Sequence, residues 1–381
     1  MILRRFCKFL LKVVGCLVLV LIFNEFIIYY VTLAQCHWPK LPETNHVKAI
    51  ILADTHMLGP FRGHWFDKLR REWQMHRAFQ TSMTLFQPDV VFILGDLFDE
   101  GQWVNDKQFK EYVRRYRRLF HTDEKTKEIT ISDFIMRNIL PICMKYLPLS
   151  HTKIFSTSPR MINRYENVFN NTDDTVLVTV KGVHFVLINS VRMEGDGCNL
   201  CRAAERKIEN ISLQLKCARG LTDCDDSNAI GEYSQPVLLQ HFPTYRPTDS
   251  ICLESDSEET ELFRERWEVL SKESTRWLGK MLEPRVAFSG HSHNYCRVKN
   301  MLDIEEYTIS SYSWRNKNNP KFLLALFTPD AYHVAVCEMP QESTVYAIYT
   351  IGSIVSVILV LYHELKTHSR RYYVRFKGKS N

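Results

Sequence analysis

Carboxylate and imidazole side chains occur in four short clusters that lie far apart in the chain. The clusters are Asp54 with His56, Asp96, His241, and His291 with His293. Mixed oxygen and imidazole ligands suit manganese, iron or zinc better than magnesium, which prefers oxygen ligands alone. Two such ions about 4 Å apart can clamp a phosphate group and lower the pKa of a bridging water. These residue types therefore predict a two-ion site for phosphate chemistry.

Each cluster follows an apolar, strand-like run. The runs are residues 49–53, 90–94, 237–239 and 286–289. Because a sheet fixes the ends of its strands, the loops that follow can bring ligands from distant chain positions together. Asp54 and His56 are two residues apart, and strand alternation predicts that their side chains point to the same side. Gly95 permits the close backbone approach that a crowded site requires.

These patterns differ in specificity. A single Asp-x-His or Gly-Asp pair is usually a loop detail, whereas Gly-His-Ser-His at residues 290–293 is more specific directly after an apolar strand. The order and the strand context of all four clusters favour one metal centre over four unrelated loops.

The ordered clusters resemble the calcineurin-like metallophosphoesterase family over roughly residues 48–296. The resemblance implies an α/β fold, a sandwich of two sheets flanked by helices with a dinuclear site at the strand ends. It also implies the ligands of each ion: Asp54, His56 and His293 for the first, His241 and His291 for the second, and Asp96 as the bridge.

A second set of features resembles family members that act on glycosylphosphatidylinositol (GPI) anchors. The features are the tracts at residues 194–198 and 313–320, two apolar spans and the C-terminal lysines. The resemblance implies a phosphodiesterase with two divalent ions, most simply manganese. It would remove ethanolamine phosphate from a mannose of the anchor and so promote transport from the endoplasmic reticulum to the Golgi. The implied partners are GPI-anchored proteins and the glycolipid itself.

The tract at residues 313–320 also contains candidate substrate contacts. Trp314 could stack on a sugar, and Arg315 and Asn316 could contact phosphate. The alternative is an exposed loop with a structural tryptophan, in which the asparagine forms a turn.

One family motif is missing from this chain. In the family, Gly-Asn-His followed by Asp or Glu supplies an Asn to the second ion and a His to the leaving group. No such tetrapeptide occurs between residues 101 and 236, and in the expected interval at residues 123–159 Asn138 and His151 are too far apart to replace it. The segment is either a splice or gene-model variant or a diverged sequence.

The missing motif leaves no catalytic residue assigned. Because a general acid or base contributes about 10² to 10⁴ in rate, we expect reduced or absent turnover. The alternative function is a catalytically silent membrane protein that binds GPI-anchored cargo.

Two apolar runs predict transmembrane helices at residues 13–31 and 345–362. Basic residues precede the first run and follow the second. The positive-inside rule therefore places residues 1–12 and 363–381 in the cytosol and a domain at residues 37–340 in a lumen. The alternative for the first run is a signal peptide cleaved near residues 32–34.

Charge, acceptor triplets and cysteines fit a lumenal domain. The formal charge of +6 comes from the basic termini, so the mildly acidic middle argues against nucleic-acid binding. Asn170 and Asn210 begin glycosylation acceptor triplets. A cysteine cluster predicts disulfides that staple a long loop, with the pairing left open, in preference to a zinc knuckle. It consists of Cys198, Cys201, Cys217 and Cys224.

Lys377 and Lys379 stand at the fifth and third positions from the C-terminus. This register resembles a dilysine-type retrieval signal. It implies a COPI-type coat as partner and a location at endoplasmic reticulum exit sites, the ER–Golgi intermediate compartment and the cis-Golgi membrane. The alternative is a basic tail that anionic lipids attract.

Overall fold

The chain forms two compact units, Cys36–Met339 and a second unit made of Met1–Gln35 with Pro340–Asn381. The structure, a computed structural model, describes residues 2–42, 45–61, 63–101, 103–123, 125–130, 175–193, 199–224, 229–257 and 262–377. Several features singled out above lie outside these residues: most of the interval at residues 123–159, the tract at residues 194–198, Asn170 and Lys379.

The unit that contains both termini consists of long apolar helices. The chain runs through α1 (Ile2–Ile22), a π-helical turn (Phe23–Ile27) and α2 (Ile28–Leu33), and it ends in α7 (Glu342–Lys377). The segments Phe6–Leu33 and Glu342–Thr367 are long and apolar enough to span a membrane, as predicted. Both helices extend beyond the predicted spans, because only the apolar part of a helix has to match the bilayer.

The first sheet has five strands in the order β12-β11-β1-β2-β3. Their bounds are β1 (Val47–Leu52), β2 (Val90–Ile93), β3 (Lys127–Thr130), β11 (Lys321–Phe327) and β12 (Tyr332–Glu338). Strands β1, β2 and β3 are parallel, whereas β11 is antiparallel to both of its neighbours. The helices α3 (Trp65–Phe86) and α4 (Asp106–Leu119) follow β1 and β2.

The second sheet has seven strands in the order β4-β5-β6-β8-β10-β9-β7. Their bounds are β4 (Thr175–Val180), β5 (Val183–Ile188), β6 (Val237–Gln240), β7 (Glu254–Ser255), β8 (Val286–Ser289), β9 (Cys296–Lys299) and β10 (Glu305–Thr308). The central strands β5, β6, β8 and β10 are parallel. The helices α5 (Asn199–Ala218) and α6 (Lys272–Leu282) belong to this half.

The two sheets pack face to face around an apolar core. Phe92 of the first sheet meets Phe185 of the second with ring centroids 4.9 Å apart, and Phe288 meets Phe327 at 5.9 Å. On the outer face of the second sheet, Leu238 and Ala287 pack with residues of α5 and α6. The predicted α/β sandwich of two sheets flanked by helices is confirmed.

Three disulfides join described cysteines: Cys36–Cys337, Cys217–Cys224 and Cys252–Cys296. The expectation of a long stapled loop was wrong, because Cys201 and Cys217 lie on the 20-residue helix α5. The Cys217–Cys224 bridge closes the segment just after this helix, and Cys198 lies outside the described residues.

Candidate metal centre

The predicted ligands lie at the carboxyl ends of two parallel strand pairs, β1 with β2 in one sheet and β6 with β8 in the other. Within each pair, hydrogen bonds connect the loops that follow the two strands. In the first sheet the amide of His56 donates to the carbonyl of Asp96 at 2.9 Å. In the second the amide of Gly290 donates to the carbonyl of His241 at 2.8 Å. The sheets also meet here, because the amide of His291 donates to Asp54 Oδ2 at 3.0 Å. One edge of the sandwich therefore gathers all four clusters.

Five of the six predicted ligands have a left-handed backbone conformation. Their φ angles lie between 43° and 71°, at His56, Asp96, Asp54, His293 and His291. Residues other than glycine rarely adopt this conformation, and such strain clusters at functional sites. Asp54 and His56 both lie beyond Leu52, where β1 ends. Strand alternation, which was predicted to align these two side chains, therefore does not apply, and tight turns bring them together instead.

One group of possible ligands consists of Asp54, His56, Asp96 and His293. Their ligand atoms converge around His56 Nε2, which lies 3.0 Å from His293 Nε2, 3.3 Å from Asp96 Oδ2 and 3.7 Å from Asp54 Oδ1. His293 Nε2 lies 3.6 Å from Asp54 Oδ1. This is the set that the family resemblance implies for the first ion, with the bridging carboxylate.

The second group consists of Asp96, His241 and His291. His241 Nε2 lies 3.5 Å from Asp96 Oδ2 and 3.2 Å from His291 Nδ1. Asp96 thus belongs to both groups, which is the placement expected of a bridging ligand.

The residues present fit divalent ions. Atoms bound about 2.1 Å from one ion lie roughly 3.0 to 3.4 Å apart, close to the separations found here. Asp54 Oδ1 is buried and accepts no hydrogen bond from the part of the chain that the structure describes. A buried carboxylate oxygen without a hydrogen bond is unfavourable, so a cation bound here would supply a closer partner than the histidines do.

Gly290 leaves the space that this arrangement needs. A Cβ there would lie 2.7 Å from Ala53 Cβ and 2.8 Å from Asp54 Oδ2. The glycine therefore lets the two loops pack against each other.

The protonation states without metal follow from burial and close charges. Burial would raise the pKa values of Asp54 and Asp96, but the neighbouring histidines outweigh it and hold both below the usual range. Burial would lower the pKa of His56, but its carboxylate neighbours, Asp96 first, raise it to about 10. Burial and His241 lower the pKa of His291 to about 4. Without metal the carboxylates are therefore charged, His291 is neutral and His56 is protonated, so metal binding would release the proton of His56.

Outer contacts orient the imidazole rings. His56 Nδ1 lies 2.7 Å from Asp99 Oδ1, and Arg315 Nε donates to Asp99 Oδ2 at 3.0 Å. His241 Nδ1 lies 2.8 Å from the carbonyl oxygen of Leu94, and His291 Nε2 lies 3.0 Å from that of Trp267. Such partners fix which ring nitrogen faces an ion. Sequence reasoning missed Asp99, although an acidic residue three positions after Asp96 was a visible signal.

The candidate substrate contacts divide into two kinds. Trp314 is only 5% exposed, with the guanidinium of Arg70 4.9 Å from its ring centroid, so its ring is packed in the protein. Arg315 and Asn316 instead lie beside the centre: Arg315 through Asp99, and Asn316 with its Nδ2 3.5 Å from His293 Nε2. Of the remaining predicted sites, Asn210 is exposed on α5 and Lys377 is the last residue of α7.

Comparison with known proteins gives close relatives. No family model matches the chain. The metallophosphoesterase 1 homolog of Drosophila melanogaster is 46% identical over 91% of this chain and 92% of its own length. Metallophosphoesterase 1 of Gallus gallus is 42% identical over 94% and 91%, and that of Mus musculus 40% identical over 94% and 90%.

Among solved structures, a dimetal phosphatase from Danio rerio matches 78% of this chain and 99% of its own, with a TM-score of 0.42 and 9% identity. A purple acid phosphatase from yellow lupin matches 81% of this chain and 56% of its own, with a TM-score of 0.37 and 12% identity. The sequence relatives, which extend over nine tenths of both chains, together with the two ligand groups that share Asp96, show that this chain belongs to the metallophosphoesterase 1 family.

Proposed function

We propose that this chain is a manganese-dependent phosphodiesterase that removes ethanolamine phosphate from a mannose of GPI anchors. The observation that carries the proposal is the position of Asp96 in two adjacent ligand groups, because phosphate ester cleavage by a two-ion clamp needs neighbouring ions. When bound, the ions supply Lewis acidity and an activated water. The mixture of carboxylate and imidazole ligands supports manganese over magnesium.

The residues of the chain have separate tasks in this proposal. Asp54 and Asp96, whose pKa values are held low, stay charged and hold the ions. Asp99 orients His56 through its carboxylate. Arg315 and Asn316, beside the ligands, offer N–H donors that bind and orient the phosphate oxygens of the substrate.

Membership of the family and two apolar helices support a substrate linked to a lipid, since such a substrate is concentrated at the bilayer. We further propose a lumenal domain and a location from endoplasmic reticulum exit sites through the intermediate compartment to the cis-Golgi. GPI-anchored proteins and a COPI-type coat are the proposed partners. In this role the enzyme would release anchored cargo for transport.

A second candidate is a catalytically silent protein that binds GPI-anchored cargo. The missing Gly-Asn-His tetrapeptide favours it, because among the described residues the second group of ligands has only Asp96, His241 and His291. Such a protein would keep the fold and the membrane helices without turnover.

The test uses the purified full-length chain in detergent with manganese and a GPI substrate, and it measures released ethanolamine phosphate and bound manganese. We expect two ions per chain and slow release that His241→Ala abolishes. The matched control is His333→Ala, an exposed histidine on β12, which should leave release unchanged. One ion per chain without release would contradict the enzyme and support the silent protein.

A further inference from the structure

An exposed apolar patch lies at the N-terminal end of helix α3 and includes one residue of the loop before it. It consists of Phe61, Trp65, Phe66 and Leu69, whose exposed fractions are 63%, 67%, 55% and 57%; we call it the aromatic patch. The rings of Trp65 and Phe66 lie 5.7 Å apart. The buried positions of α3 begin only at Glu72, so its first two turns lie outside the core. Contiguous exposed apolar surface of this kind marks an interaction site.

The aromatic patch is held firmly to the segment that carries the metal ligands. The amide of Phe61 donates to Glu100 Oε2 at 2.9 Å, and that of Met57 to the carbonyl of Leu97 at 2.9 Å. Gly59 packs directly against Tyr112 and Glu100, with no room for a Cβ. Residues 57–61 therefore have one well-packed path, which fixes Phe61 of the patch relative to the metal centre.

The charge around the patch is basic. The described residues 63–71 contain three basic side chains, Lys68, Arg70 and Arg71, and one carboxylate, Asp67. The carboxylate pairs with Arg71 Nε at 3.1 Å. Aromatic side chains next to lysine and arginine, on the first turns of a helix, are typical of segments that lie in the headgroup region of membranes, where the basic groups can contact lipid phosphates.

The covalent structure keeps this domain near a bilayer. The disulfide Cys36–Cys337 brings the two ends of the domain together. In the sequence these cysteines stand three residues after Leu33 and five residues before Glu342, the ends of the apolar helices. At about 3.3 to 3.6 Å per extended residue, the connections span less than roughly 20 Å.

We propose that the aromatic patch inserts into the interface of the bilayer that the apolar helices span. Trp65 and Phe66 would lie at the level of the acyl boundary, with Lys68 near the headgroups. The metal centre, fixed to the same loop, would then face lipid-linked substrates at the membrane surface. Tryptophan suits this position because its ring is apolar and its N–H can still reach water.

The test measures contact between tryptophan and lipid in the full-length chain. The chain is reconstituted into vesicles of phosphatidylcholine and phosphatidylethanolamine, with and without bromine on the acyl chains, since bromine quenches tryptophan fluorescence on contact. None of the seven tryptophans lies in the two apolar helices. We expect Trp65→Phe, which keeps the patch apolar, to lose most of the bromine-dependent quenching.

The matched control is Trp267→Phe, which removes an exposed tryptophan outside the patch and should keep that quenching. A second variant, Phe61→Ser with Phe66→Ser, retains Trp65 and should lose quenching while its manganese content stays unchanged. The proposal is overturned if Trp65→Phe quenches like the unmodified chain or loses no more than Trp267→Phe. It is equally overturned if quenching rises with the number of chains per vesicle, because a second copy then covers the patch. The readout is lipid contact, so its failure is distinguishable from failure of the proposed function.

Discussion

A methyl group added at Gly290 would meet Ala53 Cβ at 2.7 Å and Asp54 Oδ2 at 2.8 Å, closer than packed atoms allow. In Gly290→Ala, either the Asp54 carboxylate or the loop of His291 must therefore move. We expect manganese affinity to fall by about 10-fold to 100-fold, the range seen when ligand orientation is lost. Titration of the metal-free chain with manganese measures this affinity.

The control for this substitution is Gly15→Ala in α1, where no atom of the described residues beyond the local helix backbone lies within 4 Å of the added Cβ. It should bind manganese like the unmodified chain. If Gly290→Ala also binds normally, the two loops are less tightly packed than the structure shows.

Without metal, the stability of the domain should depend on the proton of His56. Its carboxylate neighbours raise its folded-state pKa from the ordinary 6.5 to about 10. The stabilisation is fully present below pH 6.5 and is lost as the pH rises through about 10. Asp54 and Asp96, with lowered pKa values, stay charged throughout this window and add no slope.

We therefore expect the free energy of unfolding of the chelator-treated chain to fall between pH 7 and pH 10, measured by urea unfolding. His56→Gln should flatten this dependence, whereas the exposed control His333→Gln should keep it. An equal slope in both variants would assign the pH dependence to other groups.

At the level of single residues, the sequence predicted the ligand types but not the hydrogen-bond partners that orient the ligands. The ligands could be found because each one directly follows an apolar run. Asp99 could not be assigned to His56, because its role depends on a contact across 43 residues of sequence. The left-handed backbone positions at Asp54 and His56 are not occupied by glycine, so the local sequence did not predict turns there.

Secondary structure elements were predictable where their apolar pattern was uninterrupted. The four strands before the ligands have nearly the predicted bounds, because buried parallel strands have short, continuous apolar runs. Helix α5 was not predicted, because its cysteines indicated a disulfide-bonded loop. Its buried residues Ala204, Ile208, Ile211 and Leu215 recur at helical spacing, and this signal was present in the sequence.

The disulfides should stabilise the domain by different amounts. Cys36–Cys337 has a sequence separation of 301 residues and joins the segment before β1 to the edge strand β12, whereas Cys217–Cys224 has a separation of 7. The chain-entropy model predicts a loss of about 6 kcal/mol on removing the first and about 2 to 3 kcal/mol on removing the second.

Paired serine substitutions test this order without leaving an unpaired thiol: Cys36→Ser with Cys337→Ser, and Cys217→Ser with Cys224→Ser. Urea unfolding of both variants at neutral pH gives the two free energies. An equal loss, or a larger loss from the short bridge, would mean that native-state packing around each bridge outweighs loop entropy.

At the scale of the whole molecule, the π-helical turn that follows α1 pairs with α7 through polar groups within apolar surroundings. Asn24 Nδ2 donates to the carbonyl of Val345 at 3.2 Å, and the hydroxyl of Tyr349 donates to Glu25. Asn24 and Glu25 both lie in the π-helical turn. Polar contacts between membrane helices stabilise their association by about 0.6 kcal/mol each, so the polar residues of the first apolar run act as helix contacts here.

This pairing predicts a specific cross-link. A Cβ on Gly352 would lie 3.7 Å from Val20 Cβ, within the range of roughly 3.5 to 4.5 Å found in disulfides. In a chain with Cys7 and Cys16 replaced by serine, Val20→Cys with Gly352→Cys should therefore oxidise to one intramolecular disulfide, identified by peptide mass spectrometry. Exposed Val18→Cys with Gly352→Cys is the matched control and should not form this disulfide.

The result also decides between an anchor and a cleaved signal peptide, because a removed first segment could not remain bonded to α7. Two thiols that both react with maleimide and never join would contradict the helix pair.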